Sequence, residues 1–247
     1  MVLDVFSFTT KGGRGHNEDS AACRTKNEHG LFLVADGLGG HAYGEVASGC
    51  VAEVLFDGWE ASLGPQEQQK LQRPQWLSEK MTEANEAILV RQRESGSNMK
   101  STAVALAVDK DKACWTHVGD SRLYFISHGK IRHITDDHSV AFKKYQAGTI
   151  TRWQINTDED QSRLLRTLGS PDRYEPTPGP DPVVLSAGDA FLLCSDGIWE
   201  YLHDLEVLVD YLKSRTAQDW GDYLLKRVMD RVDGNNDNLS LITLIIS

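Results

Sequence analysis

Apolar and polar positions alternate along Met1 to Thr10, with Val2, Val5, Phe6 and Phe8 as the apolar members, so a first strand is predicted there. Leu31 to Ala35 (LFLVA) is a short apolar run that stops at Asp36-Gly37, the pattern of a buried strand. The period then changes. Ala47, Val51, Val54 and Leu55 recur at helical spacing within Gly44 to Leu63, and Leu77, Met81, Ala84 and Ile88 form one stripe of a helix from Trp76 to Arg93. Pro74 before that helix and Gly96 after it are boundary residues.

Strands are predicted again over Thr102 to Val108, Ala113 to Val118, Leu123 to Ser127 and Lys130 to Thr135. The connections between them are too short for parallel crossovers, so antiparallel hairpins are expected. Ala141 to Arg163 reads as polar and irregular, and a loop with Pro171, Pro176, Pro178, Pro180 and Pro182 follows. Two further strands (Val183 to Leu185, Ala190 to Cys194) precede helices at Leu202 to Lys213 and Ala217 to Val232, the second opened by a Thr216/Asp219 capping box. Leu239 to Ile246 closes the chain as a strand. Strands, a helix pair, strands, a second helix pair and a last strand make an α+β layout.

Composition narrows the partners. The 247 residues suit one domain, with 40% hydrophobic and 25% charged residues typical of a globular chain. No apolar run reaches the ~20 residues that span a bilayer, and the N-terminus lacks the basic and apolar regions of a signal peptide. Cys23, Cys50, Cys114 and Cys194 show no paired spacing, which fits reduced thiols in a cytoplasmic protein. A formal charge of −10 argues against nucleic acid or an anionic membrane as the main partner.

The acids themselves are patterned. Asp36-Gly37 follows LFLVA, Gly119-Asp120 follows CWTHV, Asp196-Gly197 follows FLLCS, and Asp237-Asn238 precedes LSLITLII. Each alone is ordinary turn chemistry. If the strand ends converge, the carboxylates meet at one sheet rim, where mutual repulsion calls for a cation. Oxygen ligands without Cys or His select Mg²⁺, Mn²⁺ or Ca²⁺, and acids this dispersed suit a catalytic site better than an EF-hand. Upstream, Arg14 stands between Gly13 and Gly15, followed by Glu18 and Asp19. Its guanidinium is shaped to grip a phosphate through two hydrogen bonds.

In these blocks, with Val34-Ala35-Asp36-Gly37-Leu38-Gly39-Gly40-His41, Gly44-Glu45-Val46-Ala47-Ser48, Val118-Gly119-Asp120-Ser121-Arg122 and Ile134-Thr135-Asp136-Asp137-His138-Ser139, the chain resembles the PP2C-type (PPM) metal-dependent serine/threonine phosphatases in their compact bacterial form. The resemblance spans nearly the whole chain, in the family's order. It implies one phosphatase domain over residues 1–247, a sandwich of two antiparallel sheets flanked by helix pairs, with a flap-like segment at about 141–163. It also implies two Mn²⁺ or Mg²⁺ ions: Asp36 bridging them, Asp196 and Asp237 completing one shell, the Gly37 carbonyl on the other ion, and Glu18 and Asp19 supporting it. Asp120, with Asp196, resembles the site of a weaker third ion, and Arg14 matches the phosphate-binding arginine. The implied reaction is direct attack of an activated water on phosphoserine or phosphothreonine, without a phosphoenzyme.

Eukaryotic members often carry a histidine directly after the Asp-Gly; here Leu38 stands there and His41 comes three residues later. Arg122 and His138 read as structural, an ion-pair member and a loop anchor. Lys143, Lys144, Arg152 and Arg163 in the flap-like segment are candidate guides for an anionic phosphopeptide. The alternative, a pseudophosphatase or regulatory module of the same fold, would be marked by loss of Asp36, Asp196 or Asp237, and all three are present. The expected partners are phosphoproteins, a Ser/Thr kinase and its substrates, and a monomer is expected.

Overall fold

The computed structural model describes residues 1–39, 43–63 and 73–247. Two antiparallel sheets stack face to face. The first has the order β1 (Leu3–Thr10), β13 (Leu239–Ile246), β12 (Ala190–Cys194), β8 (Arg122–Ser127), β9 (Lys130–Ile134). The second has the order β10 (Thr177–Pro178), β7 (Lys112–Val118), β6 (Ala103–Asp109), β3 (His29–Ala35), β2 (Ser20–Lys26), with β11 (Val183–Val184) also on β7. A small ribbon joins β4 (Gly37–Leu38) to β5 (Lys100–Ser101).

Both faces of each sheet are covered, which explains the unbroken apolar runs. In β3 every residue is buried: Phe32 and Val34 point between the sheets, toward Phe191 and Leu244, while Leu31, Leu33 and Ala35 point outward. They meet α1 (Tyr43–Ser62) and α2 (Arg73–Ser95), whose Leu77, Met81, Ala84 and Ile88 are fully buried, as the stripe predicts. The outer face of the first sheet packs Leu192 and Leu241 against Val207, Trp220 and Leu224 of α5 (Asp204–Lys213) and α6 (Ala217–Met229). The layers are therefore α-β-β-α. Thr216 accepts from the Asp219 amide and Asp219 returns the bond, the capping box expected at α6.

The segment expected to be irregular is partly helical. Ser139 caps α3 (Val140–Gln146) by accepting from Phe142, and a 3₁₀ turn spans Trp153–Thr157. Strand β2 had no signal in the hydrophobic pattern, because its sequence SAACRTK is half exposed at a sheet edge. A one-turn helix, α4 (Asp196–Trp199), also departs from the expected elements.

Candidate active site

Strand ends place the acids. Asp36 follows β3, Asp120 follows β7, Asp196 starts α4 just after β12, and Asp237 lies two residues before β13. Antiparallel pairing of β12 with β13, and of β3 with β6 and β6 with β7, brings these ends to one rim of the sandwich.

Backbone bonds hold the rim together. The Asp36 amide donates to Thr102 Oγ1 (3.0 Å), while Thr102 N and Ser101 Oγ both donate to the Asp36 carbonyl (2.8 and 3.0 Å). Gly37 N donates to the Glu18 carbonyl at 3.1 Å. A β-carbon at Gly37 would collide with the Gly44 and Glu18 carbonyls, so only glycine permits this approach. Asn238 fastens the other side: its amide nitrogen donates to Lys11 O and His16 O (2.9 Å each), and its Oδ1 accepts from Glu18 N at 2.8 Å. The loop carrying Arg14, Glu18 and Asp19 is thereby tied to the residue after Asp237.

A cavity of about 690 Å³ opens here, lined by Arg14, Glu18, Asp36, Gly37, Asp196 and Asp237, with Ser162 reaching in from the flap-like segment. Asp19 and Asp120 are buried behind it; Asp19 accepts from Ser195 Oγ (2.8 Å), and the Asp120 carbonyl accepts from Trp199 Nε1 (2.9 Å). Burial, then repulsion from Asp196, Asp19, Asp120 and Asp237, raises the Asp36 pKa well above the ordinary carboxylate range. Asp196 is raised likewise by burial and by Asp120, Glu200 and Asp237. Burial pushes Asp19 up to about 6 and, with Asp137 nearby, Asp120 up to about 7. Carboxylates as far apart in the chain as Asp19 and Asp237 therefore share one electrostatic neighbourhood.

Over residues 13–229, the sequence matches the profile of the family described as Protein phosphatase 2C. The chain belongs to that family. Among relatives of this phosphatase, the serine/threonine phosphatase stp of Listeria welshimeri is 30% identical over 241 residues, covering 95% of this chain and 93% of the relative. The crystal structure of serine/threonine phosphatase Stp1 from Staphylococcus aureus superposes with a TM-score of 0.87 at 29% identity, covering 100% of this chain and 96% of that one. The catalytic domain of the phosphatase PstP, in complex with 2 manganese ions, gives a TM-score of 0.80 at 27% identity, covering 98% and 97%.

The phosphatase's cavity gathers oxygen donors suited to a divalent metal. Oxygen donors gathered under mutual repulsion are the chemistry such an ion satisfies, so the residues fit. The side chains are otherwise engaged in this structure. Asp237 accepts from Arg14 Nη2 (2.7 Å) and from Asn238 N (2.8 Å), and Asp196 accepts from Gly197 N (2.7 Å). Among the described residues, no three acidic, histidine or cysteine groups already converge on one metal-sized point. Arg14, expected to face phosphate, pairs with Asp237 at the cavity wall.

Glu200 is a carboxylate that sequence reasoning missed. Half-buried, it is pushed up to about 7, first by burial, with Asp237 among the charges raising it, and Gln161 of the flap-like segment donates to it. It stands four residues after Asp196, a spacing that a helical reading of 196–199 would have exposed. Leu38 lines the cavity, whereas His41 lies outside the described residues. Arg122 pairs with buried Asp137, and His138 accepts from Gly119 N (3.1 Å), both structural arrangements. The flap cations are mostly consumed internally: Lys144 by Asp158 and Asp160, Arg163 by Asp160, Arg152 by Asp204. Lys143, the fourth cation of that segment, donates to the Gln146 side chain at 2.8 Å.

Proposed function

We propose that this chain hydrolyses phosphoserine and phosphothreonine in proteins by direct displacement. The observation that carries the reading is an open cavity lined by Asp36, Asp196, Asp237 and Arg14, with Asp19 and Asp120 close enough to act on Asp36 electrostatically. Asp36, Asp196, Asp237 and the Gly37 carbonyl would hold two Mn²⁺ or Mg²⁺ ions, with Glu18 and Asp19 supporting them and Asp120 serving a weaker third. When bound, such ions acidify a water and neutralise charge on the phosphate.

The chain's own residues do the rest. Arg14, on a glycine-flanked loop, turns from Asp237 to the phosphate oxygens and orients the ester for in-line attack. The carboxylates, fixed by the strand ends, position the attacking water opposite the serine or threonine oxygen that leaves. Among the described residues no cysteine lines the cavity, and burial pushes the Cys194 thiol up, so a thiol phosphoenzyme has no support. Four unpaired cysteines are compatible with a reducing compartment such as the cytoplasm. A Ser/Thr kinase and its substrates are the partners this chemistry implies, and the chain is taken to act as a monomer.

The test is hydrolysis of p-nitrophenyl phosphate and a phosphothreonine peptide with Mn²⁺, Mg²⁺ or EDTA. Turnover with Mn²⁺ and its loss in EDTA are expected. Equal rates with and without metal would overturn the mechanism, and a pseudophosphatase would turn over neither substrate.

A further inference from the structure

Beside the carboxylate cavity lies a second one of about 370 Å³, lined by Leu38, Gly39, Tyr43, Asn98, Met99 and Lys100. Leu38 and Gly39 belong to both walls, so the two cavities adjoin across these residues. The β4–β5 ribbon fixes their relation. Lys100 stands opposite Leu38 and Ser101 opposite Gly37, and the Ser101 hydroxyl donates to the Asp36 carbonyl at 3.0 Å. The backbone of Lys100 is therefore indexed to the acid at the heart of the site.

Lys100 is the only charged residue among the described residues lining this second cavity. Tyr43 and Asn98 add neutral hydrogen-bonding groups. Arg14 is engaged by Asp237, and Lys144, Arg152 and Arg163 by carboxylates of their own surface, while Lys143 donates to the neutral Gln146. Among the described residues Lys100 has no carboxylate partner. In a chain of net charge −10, Lys100 places a positive charge one strand from the site.

We infer that this second cavity receives the peptide flanking the phosphorylated residue, and that Lys100 selects flanks carrying a glutamate or aspartate. The inference rests on the phosphatase reading above. An extended peptide advances about 3.3 Å per residue, so a side chain within three positions of the phosphoresidue reaches the adjoining cavity. The contact is a partly exposed ion pair. It is worth a selectivity of about fivefold at low salt, the upper end for such pairs, and salt screens it.

The experiment uses the manganese-loaded chain and phosphothreonine peptides in which one glutamate, glutamine or lysine is scanned from three residues before to three after the phosphoresidue. At one or more positions, kcat/KM is expected to be about fivefold higher for glutamate than for glutamine, through KM, and lower still for lysine. Sodium chloride should flatten the series. Lys100→Gln should abolish the preference, and Lys100→Glu should invert it toward lysine. Equal rates for all three series, or a glutamate preference that survives Lys100→Glu, would overturn the inference while leaving the phosphatase reading intact. Failure to hydrolyse any of the peptides would overturn both.

Discussion

Removing the Asp137 carboxylate is expected to be a costly single change outside the acids proposed to hold metal. Arg122 donates to Asp137 through Nε (2.9 Å) and Nη2 (2.7 Å), and the two side chains are 2% and 1% exposed. The guanidinium lies 3.6 Å from the Trp199 ring centroid, and Trp199 in turn holds the Asp120 carbonyl. Burial alone would lower the Arg122 pKa, but Asp137 more than reverses this, so the guanidinium stays charged. Asp137→Ala then strands a buried cation, at a cost of about 3–5 kcal/mol. For a chain of this size that lowers Tm by roughly 10 °C. Arg122→Met combined with Asp137→Leu removes both charges and fills the volume, and should cost only about 1–2 kcal/mol. Urea unfolding of these variants and of the single Arg122→Met and Asp137→Leu changes, followed by tryptophan fluorescence in EDTA and in Mn²⁺, completes the double-mutant cycle. The reasoning fails if Asp137→Ala costs less than about 1 kcal/mol, or if the double variant loses the sum of the two single losses.

Asp196→Asn should abolish Mn²⁺-dependent turnover yet raise stability in EDTA, because it deletes one member of a buried like-charge cluster; undiminished turnover would remove it from the ligand set. Asp19 and Asp120, raised to about 6 and about 7, bind protons in the folded state that the unfolded chain has released, so their stabilisation is complete below about pH 4 and lost as pH rises to about 7. Calorimetry in EDTA should therefore give a higher Tm at pH 5 than at pH 7.5, and a rise toward pH 7.5 would contradict it. Gly37→Ala should lose about 3 kcal/mol in urea unfolding, since its β-carbon must displace the Gly44 and Glu18 carbonyls. Arg14→Ala should raise KM for phosphopeptides and lower kcat/KM by about 10- to 100-fold, the worth of a hydrogen bond to a charged group; unchanged kinetics would deny Arg14 the phosphate.

Buried elements were the legible ones. LFLVA and FLLCS show their strands because both faces are covered, and each runs into the acid that marks the rim. The α2 stripe shows its helix because one face meets the second sheet. Strand β2 was hidden because an edge strand with one wet face has no such run, and α3 because one short turn depends on a single serine cap. Site residues announced by glycine neighbours were found, whereas Glu200, with tryptophan and tyrosine beside it, carried no mark. Pairings such as Lys144 with Asp158 depend on how the loop closes, which local pattern does not encode.

The last strand is not at an edge. β13 lies between β1, the first strand, and β12, and Val2 and Ser247 exchange backbone bonds. While residues 1–235 emerge from the ribosome, β1 and β12 each present an unpaired side, a template for misassembly with neighbouring chains. Asp237 and Asn238 enter together with the strand that closes this gap. A nascent polypeptide therefore gains Asp237 together with the strand that joins β1 to β12, and the acidic rim is assembled only when the first sheet is.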